Sequence, residues 1–213
     1  KTRYLLAKFV WGLAFVLLSG SMAGAGAVEN ETPDQVHIED FEGEMQENGL
    51  PVGWLPLTFP SISQHTIYTV EEESGDTYLK AEADQAASGI YKKIEIDLKQ
   101  YPILGWRWKI HHILAQGDEK TKAGDDYAAR VYVIFDFDRK TASFWDRSKY
   151  ELMKFLYGEY PPAGALNYIW ANRLPKGQSI PNAYAREAKM IAVESGPEYA
   201  EQWREERVNV LED

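Results

Sequence analysis

The chain has 213 residues, no cysteine and a formal net charge of −10 at pH 7. Its 33 carboxylates are scattered, which argues against nucleic acid and against docking on anionic lipid headgroups, since both reward clustered Lys and Arg. Without disulfides the fold must rest on core burial, and this length suits one domain.

Lys1, Arg3 and Lys8 precede an apolar run from Phe9 to Leu18, and Ser19 to Ala27 is small and Gly/Ala-rich. That is the pattern of a secretory signal peptide, with Ala25-Gly26-Ala27 as a small-x-small cleavage site. The apolar part is shorter than the ~20 residues a spanning helix needs, so no stable membrane insertion is expected after cleavage. Residues 1–27 are therefore read as a leader outside the fold. Their removal deletes three cations and no anion, taking the net charge from −10 to −13. Residues 28–35 read as a mobile lead-in and 36–213 as a single domain. An exported chain without cysteine fits the bacterial periplasm, or secretion.

In the domain, Val36–Phe41 alternates as a first strand. Gln46–Pro60 is rich in Gly and Pro and reads as a loop whose Trp54, Leu55, Leu57 and Phe59 cap one end of the core. Thr66–Glu72 and Thr77–Ala83 flank Ser74-Gly75-Asp76, a hairpin signal. Gly89–Ile96 and Leu104–Ile113 follow as strands, the second with Trp106, Trp108 and Ile110 toward the core. Asp125–Phe137 is the central strand. Its Tyr127, Ala129, Val131, Val133, Phe135 and Phe137 point to a core, and Asp126, Arg130, Tyr132 and Asp136 point away. Lys140–Tyr160 is a long loop or carries a short helix over Lys149–Tyr157, ended by Pro161-Pro162. Ala165–Ala171 and Lys189–Ser195 are two more strands. Gly196-Pro197-Glu198 starts a helix whose stripe is Tyr199, Trp203, Val210 and Leu211. Many short strands and one late helix predict an all-β fold, an antiparallel β-sandwich of jelly-roll type with a C-terminal helix.

Asp40-Phe41-Glu42-Gly43 with Gly53-Trp54, Ser88-Gly89, Trp106-Arg107-Trp108, Asp125-Asp126 with Arg130, Tyr168-x-Trp170-x-Asn172, and Ser195-Gly196 before Trp203 form a set of signatures. Together they resemble the secreted bacterial family catalogued as domain of unknown function 3047, from about Val36 onward. The resemblance implies a jelly-roll sandwich and no established activity. It also implies a further strand pair rich in Asp and Thr after the helix. The chain stops at Asp213, which would make it a truncated copy or a sandwich closed differently. The Phe-Glu-Gly start and later Gly-Trp are similar, over about twenty residues, to jelly-roll carbohydrate-binding modules. That likeness implies a structural calcium ion near the first strand, for which Asp40, Glu42 and Asp76 supply hard oxygen ligands.

The face of the central strand turned from the core is the candidate site. Asp125, Asp126 and Arg130, with Arg107 on a neighbouring strand, offer carboxylate acceptors and planar bidentate donors of the kind sugar hydroxyls and uronate carboxylates need. The alternative is an ion-pair network that fixes strand register. Tyr132, Tyr168 and Trp170 could stack on sugar rings, with Asn172 supplying a donor and an acceptor, or they are core. Paired carboxylates for glycoside cleavage would come from Asp125 or Asp126 with Glu42 or Asp136. A lyase would draw on Tyr132, His111 and Arg130. No nucleophile elbow and no cysteine favours a hydrolytic triad, and adjacent His111-His112 point to opposite faces of a strand, a poor metal pair. The expectation is a non-catalytic domain that binds a saccharide or other glycan-like polar ligand. A polysaccharide-cleaving enzyme on the same face and an envelope structural protein stand as alternatives.

Overall fold

Arg130–Phe135 and Gly164–Ala171 hold long unbroken stretches of buried side chains, the mark of strands covered on both faces. They are central in the sheet. The computed structural model describes residues 35–59, 62–135, 164–183 and 188–213, together with the backbone of a strand at 15–18. The expected lead-in through 34, the remainder of the leader, Asp136, Phe137 and the 140–160 segment lie outside the described residues.

Eleven strands are described: β1 (Phe15–Leu18), β2 (Trp54–Leu57), β3 (Ile67–Glu73), β4 (Asp76–Glu82), β5 (Gly89–Ile94), β6 (Ile103–Trp108), β7 (Arg130–Phe135), β8 (Gly164–Ala171), β9 (Ser179–Pro181), β10 (Ala188–Ser195) and β11 (Arg204–Asn209). Seven form one sheet in the order β2-β5-β1-β7-β8-β10-β9, while β6 pairs with β11 and β3 with β4. The large sheet is mixed. Pairs β2–β5, β7–β8 and β9–β10 are antiparallel, and pairs β1–β5, β1–β7 and β8–β10 are parallel. The fold is all-β, with no helix among the described residues.

The main core lies between this sheet and the β6–β11 pair. Val131, Val133, Tyr168, Trp170, Ile191 and Val193 from the large sheet meet Leu104, Trp108 and Val210. Trp108 and Trp170 rings stand 5.7 Å apart, and Trp106 and Tyr168 rings 5.6 Å apart, each pair tilted as ring quadrupoles prefer. The opposite face of the large sheet is covered too. Tyr132 and Ile134 pack with Trp54, Ile90 and Leu50, and Ile169, Met190 and Ala192 pack with Tyr127 and Leu174.

Several expectations need correction. The C-terminal helix is absent: residues 197–202 form turns and bends, and Arg204–Asn209 is strand β11. Glu206 is buried there because Trp108 Nε1 donates to its carboxylate at 3.2 Å, so a charged residue occupies an inward strand position. Val36–Phe41 does not form a strand. Phe41 sits at φ 64°, and the Glu39 and Asp40 carboxylates accept the N–H groups of Phe41 and Glu42 at 3.2 and 3.0 Å, a local closure that competes with any ladder. Trp54–Leu57, read as loop, is an edge strand on β5. The leader reading of residues 1–27 is not among these corrections; within that segment residues 15–18 pair as β1 between β5 and β7. A short apolar run satisfies a buried strand and a leader's apolar core equally well, and periodicity does not separate the two.

The β3–β4 hairpin is as expected, and Ser74 and Gly75 both take positive φ (57° and 87°), as its two-residue loop requires. A bulge in β10 shifts register between Ala192 and Glu194.

Candidate functional site

Where the chain enters β7, it buries charge. Arg130 is fully buried, and its Nη2 donates to the Asp125 carbonyl at 3.1 Å and its Nη1 to the Tyr132 hydroxyl at 3.3 Å. The Asp125 carboxylate meets Nη1 at 3.6 Å, an ion pair without hydrogen-bond geometry, and the guanidinium lies 4.4 Å over the Tyr127 ring. Burial works against the Arg130 charge, but Tyr132 and Asp125 more than offset it and the pKa ends above the ordinary arginine value. Burial raises the Tyr127 and Tyr132 hydroxyls and also the half-buried Asp126 carboxyl. Asn167, opposite Tyr132 in the β7–β8 register, is buried with both ends of its amide unpartnered. Asp125, Arg130 and Tyr132 thus meet beneath cover rather than on an open face.

Residues Tyr168, Trp170 and Asn172 are spent on structure. Tyr168 and Trp170 are fully buried in the main core, their polar atoms donating to the Asp213 carboxylate and the Gly196 carbonyl, both at 2.9 Å. They belong to the other face of the sheet from Arg130, because β8 residues alternate across it. Asn172 accepts from Leu114 N–H at 3.0 Å and donates to the Asp126 carbonyl at 2.7 Å, pinning the 114–126 loop to the end of β8. Buried Glu119 adds to this tie by accepting the backbone N–H groups of Asn172, Arg173 and Leu174 at 2.5–3.2 Å.

Of the expected ligand residues, Arg107 has the open side chain, and it sits elsewhere, on a cleft of about 1170 Å³ bordered by β4, β6 and the approach to β11. Trp203 is the centre of that rim. The Arg107 guanidinium lies 5.4 Å and the Lys109 ammonium 5.1 Å from its ring centroid, and Tyr78 meets it edge-on at 5.3 Å. Glu73 holds the arrangement by accepting from Trp203 Nε1 and from Lys109, each at 2.7 Å, while Asp76 accepts from Arg107 at 3.1 Å. These contacts fasten the β3–β4 hairpin to β6 and place an aromatic surface among oriented charges. Sequence reading missed Trp203 and Tyr78. The available signal was the alternation of β4, which sets Tyr78, Lys80 and Glu82 on one side, whereas Trp203 was hidden by the helical reading of its segment.

The residues expected to hold calcium do not fit it. Asp40 turns its carboxylate onto the Glu42 N–H and His37, the first of which holds its pKa below the ordinary carboxylate value. Asp76 is occupied by Arg107. Among the described residues no group of three or more His, Asp or Glu side chains converges on a point that could hold a metal. His111 contacts Glu201, and both side chains are exposed.

The fold and rim define a class: an all-β domain with a sealed ion pair at its centre and a charged, aromatic cleft at its surface. The chain belongs to the family described as protein of unknown function DUF3047, whose model matches residues 52–213. No curated protein and no solved structure matches the chain.

Proposed function

We propose that this chain is an exported, non-catalytic binding domain of jelly-roll sandwich type that recognises a saccharide or glycan-like polar ligand, with the ligand in the Trp203 cleft. Export to the periplasm or outside the cell rests on the basic, apolar and small-residue order of residues 1–27. The observation that carries the binding reading is Trp203 itself, a large aromatic held at the mouth of a roomy cleft by Arg107, Lys109, Glu73 and Tyr78. An aromatic face receives sugar C–H groups, and pre-positioned charged groups around it fix hydroxyls without paying for their ordering. The ligand face moves from the buried Arg130–Tyr132 row to this rim.

Calorimetric titration against neutral and acidic oligosaccharides tests the reading. Trp203→Ala is expected to weaken binding about 10- to 100-fold, the range of a central tryptophan anchor. Absence of binding across the panel, or binding indifferent to Trp203, overturns it. Release of reducing ends or unsaturated uronates during incubation makes the domain a polysaccharide-cleaving enzyme instead.

A further inference from the structure

The tip of the β3–β4 hairpin presents two carboxylates to two cations. Glu73 and Asp76 flank its two-residue loop and pair directly across it, so both side chains leave the hairpin on one face. Arg107 and Lys109, two residues apart on β6 and its continuation, share the outward face of that strand. Asp76 accepts from Arg107 at 3.1 Å, and a single oxygen of Glu73, Oε2, accepts from Lys109 and from Trp203 Nε1, each at 2.7 Å. The Trp203 rim therefore already receives anions among a guanidinium, an ammonium and an indole N–H, and the hairpin supplies them. All four charged side chains keep contact with solvent.

The hairpin is fixed at its far end and lightly held at its tip. β3 and β4 pair with each other and with no other described strand. At the base, Thr66 N–H donates to Ser88 Oγ at 3.0 Å, Ser88 N–H to Thr66 Oγ1 at 3.3 Å, and the Tyr68 hydroxyl to the Ser88 carbonyl at 3.1 Å. Tyr68 and Leu79 pack there against the cluster of Trp54 and Ile90. The tip relies on exposed ion pairs, which contribute little to stability, so exchanging its carboxylates for others leaves the anchored end intact. Between Gly105 and Lys109 and between Trp203 and Arg207, the outward face of the β6–β11 pair carries Arg107, Lys109 and Arg207 against Glu205. With the tip withdrawn that face is cationic, and Trp203 stands on it.

We propose that the Glu73 and Asp76 carboxylates stand in for those of the ligand, an acidic saccharide of uronate type that displaces the hairpin tip from Arg107 and Lys109 while a sugar ring packs against Trp203. A uronate carboxylate is planar and offers Arg107 two oxygens, the pairing a guanidinium holds most strongly. This deepens the saccharide-binding reading and rests on it.

The experiment compares trigalacturonate with cellotriose by calorimetry at low and high salt. Trigalacturonate is expected to bind about 10-fold or more tightly at low salt, and the preference should shrink at about 0.5 M NaCl, where charge attraction is screened. Glu73→Gln with Asp76→Asn removes the competing charges, and is expected to raise the ratio of trigalacturonate to cellotriose affinity a further 5-fold or so. Arg107→Gln with Lys109→Gln is expected to abolish the preference. Should either double variant fail to fold, the two salts on the unaltered protein still decide. Equal or weaker binding of trigalacturonate, a preference indifferent to salt, a ratio that Glu73→Gln with Asp76→Asn leaves unchanged or lowers, or a preference that survives loss of both cations overturns the inference while leaving saccharide binding in place. No binding of either trisaccharide overturns both.

Discussion

The Asp125–Arg130 pair offers the sharpest test of how this fold is held. Arg130→Met replaces a fully buried guanidinium by an apolar chain of similar length, among Tyr127, Tyr132 and Ile169. It leaves the Asp125 carboxylate buried, without its counter-charge at 3.6 Å, and strips the Asp125 carbonyl of the donor at 3.1 Å. Removing one member of such a pair costs about 3–5 kcal/mol. At roughly 2–4 °C per kcal/mol for a domain of this size, the midpoint should fall by roughly 6–20 °C. The double variant Asp125→Asn with Arg130→Met removes both charges and should recover to within about 1–2 kcal/mol of the starting protein, because neither ion then has to be kept out of water. Urea denaturation of the two single variants and the double closes the cycle. A loss below about 1 kcal/mol for Arg130→Met, or strict additivity in the double, would refute the reasoning and show the pair to be hydrated.

Two further outcomes follow from packing and charge. At Gly117 a Cβ would stand 1.7 Å from Asn172 Nδ2 and 2.7 Å from the Asp126 carbonyl, so Gly117→Ala should break the loop anchor and cost about 2–3 kcal/mol; Gly43→Ala, with nothing within 4 Å, is the neutral control in the same denaturation assay. Glu39 resists burial through bonds from Lys92 at 2.9 Å and Trp54 at 2.7 Å, which outweigh desolvation and hold its pKa below the ordinary 4.5. Its folded pKa being depressed, its stabilisation is complete above that ordinary value and is lost as pH falls through the folded one. Glu39→Gln should therefore flatten the acid limb of the stability–pH curve, and an unchanged limb would remove Glu39 as its source.

Strands with a clean apolar alternation or an unbroken apolar run were legible from residues alone: the hairpin at Ser74-Gly75, β5, β6, β7, β8 and β10. What escaped were segments whose pattern is overruled by tertiary contacts. Arg204–Asn209 is almost wholly polar, and its strand character depends on pairing with β6, distant in sequence, where Trp108 donates to Glu206. Val36–Phe41 alternates correctly, yet its carboxylates close on its own backbone. The same limit governed the site. Asp125 and Arg130 were recognised as partners of each other or of a ligand. Period two, however, sets Asp126 rather than Asp125 beside Arg130; Asp125 reaches it from the loop before β7, and no pattern within β7 reveals that its polar face is covered. Trp203 was singled out for its position on a helical stripe, and its value emerges when Arg107, Lys109 and Tyr78 arrive from strands distant in sequence.

The irregularity in β10 couples the two layers. By admitting one extra residue it lets Val193 enter the core and still leaves Glu194 beside Trp170, where the Glu194 carboxylate accepts from Lys176 at 3.1 Å and from Arg204, the first residue of β11, at 3.0 Å. Deleting a single codon here would straighten the ladder and spare every hydrophobic contact up to Ala192, while unlatching β11 from the sheet that faces it. Length at this point is therefore under tighter constraint than identity, and descendants of this chain should exchange residues around Glu194 more freely than they gain or lose one.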